Sequence, residues 1–257
     1  MKRSQASRLA LLGVLFLAAS LLTVAGCRGG SKSKATPAPA VFKVTSLDAL
    51  KSYCFSSDIL VSAEALDQQT AQALLQGGSF RIKASGMRVN PDRQQSKIEA
   101  DLGFLKANLE TVSIAKEQWS REPQGQWQRG ITGAASLLST SDFSPQGLFS
   151  GPAGPTSEQL TQRLDGRAFT KESLDGVTAR HYVFDRQAFE EVFGTQSAVP
   201  ESAADVKTQA DVWFAEERGV LLRVLITGKN AQQKEVLHVD VQVSDIDATS
   251  NKVEPPI

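Results

Sequence analysis

Few residues of this chain combine a reactive type with a setting that would use it. There are two cysteines, Cys27 and Cys54, and two histidines, His181 and His238. Both histidines fall inside alternating strand patterns. Neither stands in His-x-Glu or His-Glu-x-x-His, the spacings that gather ligands and a base around zinc. No Gly-x-Ser-x-Gly turn presents a serine nucleophile. Gly77-Gly78 and the glycines between 147 and 154 lack the Lys-Ser or Lys-Thr of a phosphate loop. Asp240, Asp245 and Asp247 form an acidic run with Thr249 and Asn251. Ser250 and Pro256, however, stand where a calcium loop needs glycine and a closing acid, so a solvated loop is the better reading. The 28 basic and 28 acidic residues balance, which argues against nucleic acid as a partner. No enzyme, metal site or cofactor is expected.

The chemistry that is well specified belongs to Cys27. Lys2, Arg3 and Arg8 precede an apolar run from Leu9 to Ala25, broken only by Gly13, Ser20 and Thr23. A short apolar run ending in small residues is the core and cleavage site of an export signal, and small side chains let the extended backbone enter a peptidase site. Val24-Ala25-Gly26-Cys27 resembles the bacterial lipobox. That resemblance implies a thioether-linked diacylglycerol on Cys27, cleavage after Gly26, and a further acyl chain such as palmitate on the new amino terminus. The alternative, an uncleaved membrane-spanning anchor, fits the pattern less well. Two or three acyl chains anchor where one is marginal, because each buried methylene contributes about 0.8 kcal/mol. The expected organisation is a signal peptide over 1–26, a lipidated tether over 27–40 and a folded domain over 41–257. The protein would then sit lipid-anchored on the extracytoplasmic face of the cell membrane.

Lipidation of Cys27 leaves Cys54 without a disulfide partner. Ser52-Tyr53-Cys54-Phe55 reads as a strand in which Cys54 is a small buried hydrophobe. The nearest base, Lys51, falls on the opposite face of an extended backbone, so nothing in sequence activates the thiol. Residues 28–40 carry no aromatic and no large aliphatic side chain and cannot repay their ordering entropy. A flexible tether of that length spans roughly 20 Å.

The folded part begins at Val41-Phe42. Ser46 is a helix cap, with Leu47, Leu50 and Tyr53 on one stripe. Strands are expected over 53–63, 80–85, 95–104 and 109–119, with a short one at Trp127 and a turn at Asn90-Pro91-Asp92. Ala65 to Gln76 reads as a helix stopped by Gly77-Gly78. Residues 130–157 lack periodicity and read as a long loop. Ser157 to Leu164 is helical. Asp175-Gly176 is a hairpin turn between strands at 169–174 and 177–184. Asp185 to Phe193 is an amphipathic helix closed by Gly194. Three further strands cover 206–215, 220–228 and 235–245, where Leu237, Val239, Val241 and Val243 alternate with polar residues. Leu221 to Ile226 and Val212-Trp213-Phe214 are apolar on both faces, which predicts helices or a ligand over the second face. Eight to ten strands in meander order, interrupted by short helices, give an α+β, mainly β fold. Its single highly curved antiparallel sheet has short helices covering the concave face and an apolar hollow between.

The lipobox, the helix leading into Tyr53-Cys54-Phe55-Ser56-Ser57-Asp58 and the hairpin-then-helix through Phe184 to Phe193 form a pattern. Ala210-Asp211-Val212-Trp213-Phe214, Gly219-Val220-Leu221-Leu222-Arg223 and the closing Asp245-Ile246-Asp247 complete it. Together they resemble the LppX/LprAFG lipoprotein family and, more broadly, the LolA/LolB/RseB half-barrel carriers. The resemblance covers about 41–257. It implies an unclosed half-barrel holding acyl chains of a lipid, glycolipid or lipoprotein, with no essential polar residue to carry over. The candidate lining residues are Ile82, Val112, Ile114, Val212, Phe214, Leu222, Val224 and Ile226. The expected activity is lipid binding or transfer, with the bilayer and a lipid or glycolipid as partners. The alternative is an RseB-like sensor module that regulates a membrane-protein partner. The segment at 65–76 and the Gly/Pro-rich stretch near 145–155 depart from the family pattern, which bears on cavity size and ligand.

Overall fold

A computed structural model describes residues 42–66, 78–103, 106–130, 143–149, 154–194 and 206–256. The signal peptide, Cys27, the tether and nearly all of the helix expected over 65–76 lie outside the described residues.

Eleven described strands form one sheet. They are β1 (Ser52–Ser62), β2 (Ser79–Val89), β3 (Arg93–Asp101), β4 (Lys106–Ile114), β5 (Glu117–Arg121) and β6 (Gln128–Arg129). Next come β7 (Thr170–Leu174), β8 (Val177–Asp185), β9 (Lys207–Ala215), β10 (Leu221–Lys229) and β11 (Glu235–Ser244). The order is β6-β5-β4-β3-β2-β1-β11-β10-β9-β8-β7. Every ladder is antiparallel, and the edge strands β6 and β7 do not meet. The fold is therefore mainly β, a single open antiparallel sheet. β1 and β11, from the two ends of the folded chain, pair at its centre.

The strand count exceeds the expectation because 109–119 is a hairpin, not one strand. β4 and β5 turn at Ala115-Lys116, where Ala115 has φ +54°. Nothing in the local sequence marks that turn, since neither residue is a usual turn former. The Asp175-Gly176 turn is as expected: φ is +50° and +81°, the two positive values of a type I′ hairpin.

Three short α-helices are described: α1 (Pro145–Phe149), α2 (Ser157–Leu164) and α3 (Arg186–Phe193). α1 falls within the stretch expected to be loop. α2 starts at a capping box in which Thr156 and Gln159 each accept from the other's backbone amide. Asp185 caps α3 by accepting from the Ala188 amide at 2.8 Å, and Gly194 at φ +90° closes it. A 3-10 turn at Leu47–Ala49 follows the Ser46 cap.

One sheet face carries the main core, and we call it concave because the helices pack there. Along one register row Phe184, Ala210, Ile226, Val239, Ile59, Ile82, Ala100 and Ala107 lie side by side. The opposite, convex face at the centre of the sheet is polar. Asp58 pairs with Arg81, Lys97 with Glu99 and Arg223 with Asp240. This is the alternation of a sheet buried on one side and wet on the other.

Two chain ends fix the sheet. Thr45 donates its amide to Gly219 at 2.9 Å, and Val44 donates to the Thr161 hydroxyl of α2 at 2.9 Å. Gly219 has φ +63° and lies against the Lys43 carbonyl, so only glycine fits. The Arg180 guanidinium lies between the rings of Phe42 and Phe169, 4.2 and 4.4 Å from their centroids, and pairs with Glu216. At the other end, residues 251–253 cross the convex face. Asn251 donates to the Ser52 hydroxyl at 3.0 Å, and Val253, 2% exposed, packs with Val112 and Trp119.

Candidate functional site

The concave face has two unlike halves. Over β8 to β11 it is lined by large side chains: Tyr182, Phe184, Val212, Phe214, Ile226 and Leu237 are all nearly inaccessible. α2 and α3 add Leu160, Leu164, Phe189, Val192 and Phe193 to the same cluster. Phe189 stacks on Phe193 at 4.6 Å, and both meet Phe184 edge-on. α3 rests on β8 and β9, and α1 on β11.

Over β2 to β5 the same face is lined by small or medium side chains. Ile82, Ala84, Ile98, Ala100 and Leu109 form a separate apolar cluster. Phe80 and Phe143 touch this cluster and the main core alike. Phe143 is held there by its carbonyl, which accepts from the buried Ser57 hydroxyl at 2.8 Å. One rung further toward the β2–β3 turn the lining becomes polar. Gly86, Ser96, Thr111 and Ser120 share a row, and Arg88, Gln94 and Ser113 share the next. Gly86 has no room for a Cβ, because the Gln95 carbonyl and the Phe55 ring occupy that space.

The eight candidate lining residues do not share a face. Ile82, Val212, Phe214, Val224 and Ile226 lie on the concave side, the last four inside the packed half. Val112 and Ile114 lie on the convex side in the cluster under Val253. Leu222 also faces the convex side, with Trp213, Ala179 and Ala215. Its displacement has a local cause: a bulge between Leu221 and Arg223 breaks the alternation, so Leu222 and Val224 point to opposite sides. Small residues that line the thinner half, Ala84, Ala100 and Ala107, carry no signal in an apolar count and are visible only from register.

Helices α2 and α3 cover one apolar face of β9 and β10, as expected, while Leu222 and Leu225 on the other pack with the Trp213 indole and its neighbours. His181 stacks on that indole at 4.4 Å, and Arg223 lies over it at 5.4 Å. His181 Nδ1 is 2.8 Å from Glu172 and Nε2 is 2.9 Å from Asp211, so its ring sits between two carboxylates. His238 Nδ1 lies 3.2 Å from Glu235.

The other chemistry-bearing groups are structural. Cys54 is half-buried beneath the C-terminal segment, with Sγ 3.6 Å from Asn251 Oδ1. Burial, then the nearby Asp245 carboxylate, push its thiol pKa up, so the reactive thiolate is disfavoured. The acidic run is not merely solvated. Asp240 pairs with Arg223, and Asp247 accepts from the amides of Lys51 and Ser52 at 2.7 and 3.2 Å. Burial opposes ionisation of Asp247, but Arg218 and those amides outweigh it and hold its pKa low. No metal-binding cluster occurs among the described residues. An open polar groove of about 400 Å³ lies on the convex face between Asp58, Lys83, Lys97, Glu99 and Asp240. Its acids are already engaged by Arg81, Lys97 and Arg223.

No family model and no curated protein matches this chain. Among solved structures, a domain assigned to outer-membrane lipoprotein sorting in Vibrio parahaemolyticus is 14% identical. It covers 79% of this chain and 87% of its own, with a TM-score of 0.23. A superposition at that score carries no argument, and the fold class rests on the sheet itself.

Proposed function

We propose that this chain is a membrane-anchored lipoprotein of the LolA-like half-barrel kind. Its concave face over β2 to β5 binds or transfers an acyl chain of a lipid or glycolipid. The observation that carries the reading is the asymmetry of the concave face. One half is filled by large aromatics and by helices, while the other is lined by alanines and aliphatics of smaller side-chain volume. A chain moving from bilayer to such a hollow exchanges one apolar contact for another, so the protein need only keep water away. The sequence of the leader supports anchoring through acylated Cys27 at the extracytoplasmic membrane face, within tether reach of the lipid. Among the described residues of the concave face, no nucleophile stands beside a base.

The test is native mass spectrometry of the full chain released gently from membranes. The reading expects a non-covalent amphiphile that organic extraction removes. A chain that carries none, and takes up no fluorescent fatty acid when offered, would sink it. Anchoring is tested separately. Cys27→Ala should abolish incorporation of labelled palmitate and release the protein from the membrane fraction.

A further inference from the structure

At the polar end of the thinner half stands a cation, Arg88, with no carboxylate partner among the described residues. Arg88, half-buried near the end of β2, donates from Nε to Asn90 Oδ1 and from Nη1 to Gln94 Oε1, each at 3.0 Å. Both acceptors are neutral amides, and both are aimed by other contacts. The Asn90 amide nitrogen donates to the carbonyls of Leu47 and Leu50 at 2.8 and 2.9 Å, which turns its oxygen toward Arg88. The Gln94 amide nitrogen donates to the Ser96 hydroxyl at 3.4 Å, and that hydroxyl lies 3.1 Å from the hydroxyl of Thr111. The guanidinium is thus fixed in place by neutral acceptors, and among the described residues neither a carboxylate nor a partner for Nη2 meets it. Arg180 has Glu216, Arg121 has Glu110 and Arg167 has Glu191, while Arg163 and Arg93 donate to the backbone carbonyls of Val192 and Val253.

A half-buried guanidinium gains most from a planar or tetrahedral oxyanion, which it grips through two parallel N–H bonds. We propose that Arg88 is the head-group subsite of the hollow. It takes the phosphate or carboxylate of an anionic single-chain or multi-chain amphiphile, with Ser96 and Thr111 as hydroxyl partners. The acyl chain runs from there along Ala84, Ile98 and Ala100 toward the opposite end of the strands. The proposal rests on the reading of the concave face as an acyl-chain hollow. It adds a direction for the ligand and a sign for its head.

The full chain is titrated with three probes that share one fluorescent acyl chain: a lysophosphatidate, the free fatty acid and the neutral monoacylglycerol. An anionic probe should bind about tenfold more tightly than the neutral one, the scale of one charge-assisted contact. A lead for lysophosphatidate assigns phosphate, and a lead for the fatty acid assigns carboxylate. Arg88→Gln should erase the advantage, weakening the anionic probes far more than the monoacylglycerol. Arg88→Lys, which keeps the charge, should retain part of it. The wild-type comparison needs no variant and stands even if Arg88→Gln misfolds. Equal affinities for anionic and neutral probes in the wild type, or an advantage that survives in Arg88→Gln, overturn the subsite. Failure of all three probes to bind overturns the hollow itself.

Discussion

The two halves of the concave face are built from the same ladder and differ in what stands on it. The register row that reads Phe184, Ala210, Ile226 and Val239 on one side continues as Ile82, Ala100 and Ala107 on the other. The first half is closed by α2, α3 and a run of aromatic contacts. The second ends in a polar file of Arg88, Gln94, Ser96 and Thr111. The lesson is that one continuous strand ladder can carry side chains of very different volume along a single face.

Truncations should separate the halves most strongly. Phe189→Ala removes a ring that is 1% exposed and packs on Phe184 and Phe193. It should cost about 3–5 kcal/mol in denaturant unfolding, because the helices cannot collapse into the gap. In the thinner half the informative change is an enlargement. Overpacking a filled core costs about 1–3 kcal/mol. If the region is a hollow, Ala100→Leu should instead leave the unfolding midpoint near its original value and weaken acyl-chain uptake. Equal, large losses of stability from both changes would erase the distinction between the halves.

Val253→Ala tests whether the C-terminal segment braces the thinner half from outside. Removing those methyls from the cluster of Val112 and Trp119 should cost about 2 kcal/mol. It should also raise amide exchange in β4 and β5 more than in β9 and β10. Uniform exchange changes would show that the segment does not favour one half.

Much of the packed half is legible in the sequence. The alternation from Leu237 to Val243, the Asp175-Gly176 turn and the helix closed by Gly194 each follow from a local rule. They agree with one another, and the structure follows them. The thinner half is harder for specific reasons. Ala115-Lys116 turns without a turn former, so one strand becomes two. Parity shows that Val112 and Ile114 share a face but not which face, since that depends on the pairing of β3 with β4. The bulge beside Leu222 inverts parity with no glycine to announce it. Arg88 reads as an ordinary strand-end arginine until Asn90 and Gln94 are seen to hold it. Local patterns identify which residues are apolar more readily than which face of the sheet they take.

Smaller effects are expected from acid. Asp58 and Glu216 are held below the usual carboxylate range chiefly by hydrogen bonds from Arg81 and Arg180. Asp247 is held low by Arg218 and two amides against the cost of its burial. A carboxyl whose folded pKa lies below its unfolded value stabilises the protein above the unfolded value, near pH 4, and loses that contribution as pH falls through the folded one. The pairs are partly exposed, so each should contribute less than about 1 kcal/mol. Unfolding followed from pH 6 to pH 2 should show stability falling below about pH 4. Asp58→Asn should flatten that fall slightly. A flat profile would assign these pairs no energetic role.

The central claim is that the half of the concave face over β2 to β5 is a place for an acyl chain. Native mass spectrometry of the full chain beside Ala100→Phe tests it most directly, with Val183→Thr on the exposed part of β8 as the surface control. The account predicts a dissociable lipid mass on the wild type and the control, and none on Ala100→Phe while its circular dichroism is unchanged. Lipid retained by a folded Ala100→Phe protein, or absent from all three, would contradict it.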